Sequence, residues 1–336
     1  MAVPSNRPLI RRADLLAVLN SMVADLVGPG ELSRSFSREF PAWLGHGRGL
    51  ALAEHTRAAS VALRTLGLEP GSRIGIPALA RAEYWTATED AGLEPVALDV
   101  SDHSGQPRPD GVADRGLAAL VLDGRLGLAP GPALLDAGIP VVEDITESLG
   151  SVVDGHAAGS RARVAVMGLG EDAVITAGGG AVLSLRSKRD HAMLSRESGR
   201  LGSSSLMSDM NAALASAQLR ELDAMLGRRK EIARVLLEQA RRAGRQVLLP
   251  EGDGLLPFSL ALRVERGAGE VITYAARQEV SAAPAFENSV VARGLVPEDE
   301  VPVAARLAMS CIRFPLYPAM TNEELEQVGR VVATLP

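Results

Sequence analysis

Ile139-Pro140-Val141-Val142-Glu143-Asp144, then Val164-Ala165-Val166-Met167, then Ala177-Gly178-Gly179-Gly180-Ala181-Val182 decide the fold of this chain. The first run reads as a strand ending in acids, the second as an apolar strand, the third as a glycine-rich return into another strand. Upstream the same rhythm repeats. Strands over 50–53, 73–76, 95–100, 117–122 and 141–143 alternate with helices over 56–66, 81–91 and 133–137. Loops fall at 104–109 and 127–132. This βαβ order predicts an α/β fold with a mostly parallel central sheet between helices.

Working outward, Leu15, Leu16, Val18, Leu19, Met22, Val23 and Leu26 have helical spacing over 13–27, ending at Gly28-Pro29-Gly30. A second helix covers 33–44. Two long helices, 209–226 and 229–243, carry the chain out of the large domain, and 248–336 alternates strand and helix as a small α/β cap. The expected division is a large domain, 1–225, with N-terminal helices in 1–45, and a small C-terminal α/β domain, 226–336, with the connecting helix. Only the first ten residues are expected to form a loose tail.

The 336 residues suffice for a large core, and 46% hydrophobic content is globular. A net charge of −6 gives no field that draws nucleic acid. A lone cysteine, Cys311, rules out an intrachain disulfide, and His46, His103, His156 and His191 lack ligand spacing, so no metal is expected. Residues 1–12 lack the apolar core of a signal peptide and no apolar run spans a bilayer, which predicts a cytoplasmic protein without a membrane partner.

Four further stretches, in order, carry a family resemblance: Glu39 to Leu44 (EFPAWL), Gly92 to Val100 (GLEPVALDV), Met207 to Leu219 (MSDMNAALASAQL), and Val301 to Glu324 around Phe314-Pro315-Leu316-Tyr317-Pro318. With the strands above they resemble the DegT/DnrJ/EryC1/StrS family of fold-type I aminotransferases, over about Phe36 to Leu335. The resemblance implies a pyridoxal phosphate held as an imine by a lysine, with Asp144 beneath its ring nitrogen, and nucleotide-linked keto-sugars as substrates. It also implies a homodimer with sites built across a twofold interface. Counting back from the glycines, the lysine's place falls on Asp172, and the chain has only two lysines, Lys188 and Lys230. The family's phosphate turn reads Glu54-His55-Thr56, its stacking aromatic falls on Arg81, the partner-subunit asparagine corresponds to Ser204, and the glutamine after the acid is Glu147.

Plainer readings stand beside these. Asp144 and Glu147, as Asp-x-x-Glu after a strand, fit a helix cap as well as an active site. Asp172 suits an ordinary turn. Glu54 and His55 suit exposed capping positions, Arg81 an ion pair with Glu83 or Glu143, and Tyr84 and Trp85 helix packing.

The departures lead to an expected enzyme that keeps the fold and works without pyridoxal phosphate or other cofactor, on a small polar metabolite of specialised metabolism. Its candidate catalytic residues are Asp144, Glu147, Asp172, His55 and Glu54, with Glu143 converging on the same cavity. Arg81, Thr56, Tyr84 and Ser204 would bind substrate. Clustered carboxylates raise one another's pKa, which suits isomerisation, dehydration, cyclisation or condensation. Two alternatives are a non-catalytic pseudo-aminotransferase and a lysine-less pyridoxal phosphate enzyme acting on a nucleotide-sugar.

Overall fold

In the computed structural model, which describes residues 2–113, 115–249, 254–265 and 267–336, helices α1 (Arg12–Val23) and α2 (Glu31–Leu44) lead into strand β1 (Arg48–Leu52). Then come α3 (His55–Thr65), β2 (Arg73–Pro77), α4 (Glu83–Asp90), β3 (Glu94–Leu98), α5 (Asp110–Ala113), β4 (Ala119–Asp123), α6 (Pro132–Leu135) and β5 (Val141–Asp144). A hairpin of β6 (Val152–Val153) and β7 (His156–Ala157) precedes β8 (Val164–Gly168) and β9 (Ala181–Leu185). Helices α7 (His191–Ser198), α8 (Asp209–Arg220) and α9 (Leu222–Arg242) connect to β10 (Gln246–Val247) and β11 (Leu260–Arg263). The chain closes with α10 (Ala268–Arg277), β12 (Ala283–Pro284), α11 (Pro302–Ser310), β13 (Cys311–Phe314) and α12 (Asn322–Ala333).

The main sheet has seven strands in the order β1-β9-β8-β5-β4-β2-β3. It is parallel from β3 through β8, with β9 antiparallel to both β8 and β1. Every residue of β4, β5, β8 and β9 is buried, as strands covered by helices on both faces must be. The expected α/β architecture with a mostly parallel sheet is therefore present. The second sheet, β10-β11-β13-β12, is antiparallel. Its apolar side packs with α9, α10 and α12 through Ile232, Leu236, Val271, Phe314 and Val328.

Parallel strands end on a common edge, and the loops beyond that edge are where α/β sheets place ligands. Here the loops after β2, β4, β5 and β8 carry Arg81, Arg125, Glu147 and Asp172.

Several expected boundaries move. The first helix stops at Val23, four residues early, because Asp25 takes a left-handed φ of 59°. The two connecting helices break at Glu221, the non-helical junction between α8 and α9, and not near residue 227. The helix expected from Arg81 starts at Glu83, since the Arg81 backbone N–H is taken by Asp123 Oδ2 at 3.0 Å. No helix follows β5, so Asp144 and Glu147 cap nothing. Nor is the N-terminus a loose tail from its second residue on. Val3 is fully buried, donates its N–H to Glu279 O at 2.8 Å, and accepts from Ser281 N at 2.9 Å.

Candidate functional site

The site is built around the ends of two neighbouring strands. Asp123 and Asp144 are register partners at the last positions of β4 and β5, so two buried acids stand side by side. Two unpaired carboxylates could not share this low-dielectric space. Arg81 answers both: Nη1 lies 2.7 Å from Asp123 Oδ1 and 3.2 Å from Asp144 Oδ1, while Nη2 reaches Glu147 Oε1 at 2.8 Å. Arg125 Nε supports Glu147 from the other side at 3.2 Å. Glu147 Oε2 accepts the N–H of Leu126 at 2.6 Å, holding that residue at a left-handed φ of 60°. Such a conformation costs a branched side chain about 1–3 kcal/mol unless its surroundings fix it.

Asp144 has three further partners. His55 Nε2 lies 2.6 Å from Oδ2, the Tyr84 hydroxyl donates to Oδ2 at 2.7 Å, and the Thr146 N–H donates to Oδ1 at 2.8 Å. The other ring nitrogen of His55 faces Glu83 Oε2 at 2.8 Å. Burial disfavours a charged imidazole, but the Asp144 charge and the hydrogen bonds to Asp144 and Glu83 outweigh it and push His55 up to about 9. With a carboxylate on each nitrogen, His55 is an imidazolium at neutral pH. Burial likewise pushes Asp144 up, yet Arg81 and His55 hold its carboxyl far below the usual range. Burial prevails at Asp123, raised to about 6. Glu147 is lowered: Arg125 and Arg81 overcome its burial.

These groups border a cavity of about 290 Å³, lined among others by His55, Arg81, Arg125, Glu147, Asp172 and Arg313. Arg313 Nη2 is paired with Glu287 at 2.7 Å. The structure thus brings together His55, Arg81, Tyr84, Asp144, Glu147 and, at the rim, Asp172. Glu54 and Thr56 are exposed and do not line it. Ser204 is exposed in an adjoining cavity beside Asn211 and Met207. Glu143 is a correction. Strand alternation sends it to the opposite face of β5, where it accepts from Gly159 N at 2.9 Å and burial raises its carboxyl to about 8. The acid expected to pair with Arg81 is neither Glu83 nor Glu143 but Asp123, with Asp144 and Glu147. Sequence reading missed Asp123, Arg125, Glu287 and Arg313. The apolar run Ala119-Leu120-Val121-Leu122-Asp123, which ends in an acid as the β5 run does, was the available signal for the first.

The DegT/DnrJ/EryC1/StrS aminotransferase family model matches residues 8–115 and 135–333. The chain belongs to this family. It is 26% identical over 262 residues to a 3-amino-5-hydroxybenzoate synthase of Amycolatopsis mediterranei, covering 71% of this chain and 65% of that protein. It is also 26% identical over 262 residues to a dTDP-4-dehydro-2,3,6-trideoxy-D-glucose 4-aminotransferase of Saccharopolyspora spinosa, covering 68% of each. The match thus spans about two thirds of these relatives' length. The protein Spr1654 of Streptococcus pneumoniae, named as a sugar aminotransferase, superposes with a TM-score of 0.89 at 17% identity, covering 99% of this chain and 98% of that one. It is known in PLP- and PMP-forms.

These relatives overturn two expectations. A pyridoxal-phosphate-independent enzyme and a cofactor-free family site find no support among them: the two curated relatives are named as a 3-amino-5-hydroxybenzoate synthase and a sugar 4-aminotransferase, and Spr1654 is solved with PLP and with PMP. The geometry of this chain adds one observation. A pyridoxal ring seated on Asp144 would have to displace the His55 imidazole and the Arg81 guanidinium, which already hold both carboxylate oxygens. As they stand these side chains do not fit the group in that seat.

Proposed function

We propose that this chain works in the amino-group chemistry of its family and that its pocket recognises the ammonium group of a small polar metabolite, an amino donor or an amino product, through Asp172. One observation carries the reading: among the described residues Asp172, exposed at the rim, has no ion pair or side-chain hydrogen bond, while His55, Arg81, Arg125 and Arg313 each already face a carboxylate. Four cations, His55, Arg81, Arg125 and Arg313, meet six acids, Glu83, Asp123, Asp144, Glu147, Asp172 and Glu287. The excess is negative and the free group is a carboxylate, so a positive ligand group completes the balance. In the family resemblance Asp172 stands where the lysine amine would be, and both lysines of the chain are exposed and absent from the cavity lining. An external amine in that place supplies the missing partner. The His55 imidazolium, 2.6 Å from Asp144, is the group that can lend a proton at the cavity wall.

Calorimetric titration tests this, with glucosamine and glucose as a pair differing in the amine. Pyridoxamine phosphate and pyridoxal phosphate are titrated in the same series by absorbance, since the solved relative holds both forms. A pair between exposed charges contributes at most about 1 kcal/mol, so glucosamine should bind about two- to fivefold more tightly than glucose, and Asp172→Asn should erase the difference. Equal affinities, or an unaffected variant, would sink the reading.

The homodimer, the placement in the cytoplasm and the division into 1–225 and 226–336 belong to the same proposal. Exposed Leu15, Leu16, Leu19, Met22 and Val23 on α1 support an oligomer, and light scattering showing a monomer at micromolar concentration would remove it. No described helix is long and apolar enough to cross a membrane.

A further inference from the structure

A second cavity, also about 290 Å³, adjoins the first and shares Asp172, Phe258 and Arg313 in its wall. Its far side is made by the N-terminal segment, which ties three parts of the molecule together. Val3 bridges to Val280. Asn6 Nδ2 donates to the Glu171 carbonyl at 3.1 Å, next to Asp172, and Arg7 pairs with Glu324 at 2.6 Å. This strap fixes the loop that carries Asp172 and presents Ser5 and Asn6 to the chamber, opposite Ser259 and Ser281.

Among the described residues, two polar atoms at this chamber are unanswered. Ser259 is 8% exposed, and its Oγ, closed off from solvent, has no hydrogen-bond partner; neither has Arg313 Nε. Buried polar atoms are normally paired, and an unpaired one beside a cavity points to a ligand or ordered water that completes it. The charges nearby disfavour an anionic ligand: Asp172 lines the chamber with Glu171, whereas Arg313 is already engaged by Glu287. What remains is a set of hydroxyls and one carboxamide beside the apolar faces of Phe258 and Pro315.

We infer that the chamber walled by Ser5, Asn6, Ser259 and Ser281 is a second ligand subsite that takes an uncharged, hydroxyl-bearing arm, with Asp172 at the neck between it and the His55 chamber. The inference rests on the ammonium reading of Asp172 for the other end of the ligand. Calorimetry with glucosamine and galactosyl-β-1,4-glucosamine tests both parts separately. The amino-disaccharide should bind at least about tenfold more tightly than glucosamine, and Ser259→Ala and Ser281→Ala should reduce that advantage to threefold or less while leaving glucosamine unchanged. If Asp172→Asn weakens both probes but neither subsite variant changes the disaccharide, the subsite fails and the ammonium reading stands. If the disaccharide responds to Ser259→Ala and not to Asp172→Asn, the subsite stands and the ammonium reading fails. Tighter binding of glucosamine 6-phosphate than of the disaccharide would overturn the uncharged class. No binding of either amine overturns both.

Discussion

Arg81→Met is the sharpest perturbation of the site. The guanidinium lies 2.7, 3.2 and 2.8 Å from Asp123, Asp144 and Glu147, three carboxylates that are essentially buried, and its own side chain is 13% exposed. Removing it strands acids that have only His55, Tyr84, Arg125 and backbone donors left. Breaking one side of a buried ion pair costs about 3–5 kcal/mol, and that is the loss expected at pH 8. The sign of the pH dependence follows from the carboxylates. Arg81 lowers the pKa of all three, so in the variant each sits higher than in the wild type. An acid whose folded pKa is depressed contributes stability above its unfolded pKa and loses it as pH falls; the variant lacks that contribution. The gap between the two proteins should therefore be widest at pH 8 and narrow towards pH 5, as the variant's carboxyls, Asp123 first, take up protons. Adding Asp123→Asn to Arg81→Met removes one stranded charge and should restore at least about 1 kcal/mol, a coupling in the range for contacting residues. Urea denaturation of the single and double variants at both pH values is the assay. A loss below about 1 kcal/mol at pH 8, or one equal at pH 5, would refute the reasoning, because either result means the buried acids do not depend on the guanidinium.

Other outcomes follow from the same geometry. His55, raised from 6.5 to about 9, adds stability that is complete below its unfolded pKa and lost as pH rises through 9; His55→Gln should thus cost more melting temperature at pH 6.5 than at pH 9.5, and an NMR titration of the ring below pH 7 would contradict it. Gly180→Ala should destabilise by about 1–3 kcal/mol or more, since its φ is +91° and a Cβ would meet the Leu52 carbonyl at 2.8 Å; an unchanged urea midpoint would show that the pocket floor yields. Ser208→Ala removes the side chain that caps α8 through Asn211 N at 3.2 Å and should cost about 1 kcal/mol by the same measurement.

Much of the fold was legible because it rests on local signals. Apolar runs such as Val164-Ala165-Val166-Met167 have no stable place except a covered sheet, and helix spacing between them sets the parallel order. The pairs Asp144–Glu147 and His55–Arg81 were legible as a cluster only through the family resemblance, and their chemistry was not. What decides it is long-range pairing: Arg81 lies 42 residues from Asp123 and 66 from Glu147, and His55 lies 89 from Asp144. Periodicity carries no information about such partners. The register of β4 against β5 does, because it sets Asp123 beside Asp144 and so requires a buried cation between them. Once that cation is Arg81 and the second partner of Asp144 is a doubly bound His55, both oxygens of the acid are spoken for. The free carboxylate of the cavity is then Asp172, held in place by a strap of N-terminal residues that looked like a tail. The ligand question accordingly moves from the buried acid at the strand end to the loop acid at the rim, and amine-bearing probes, more than acidic ones, are the place to begin.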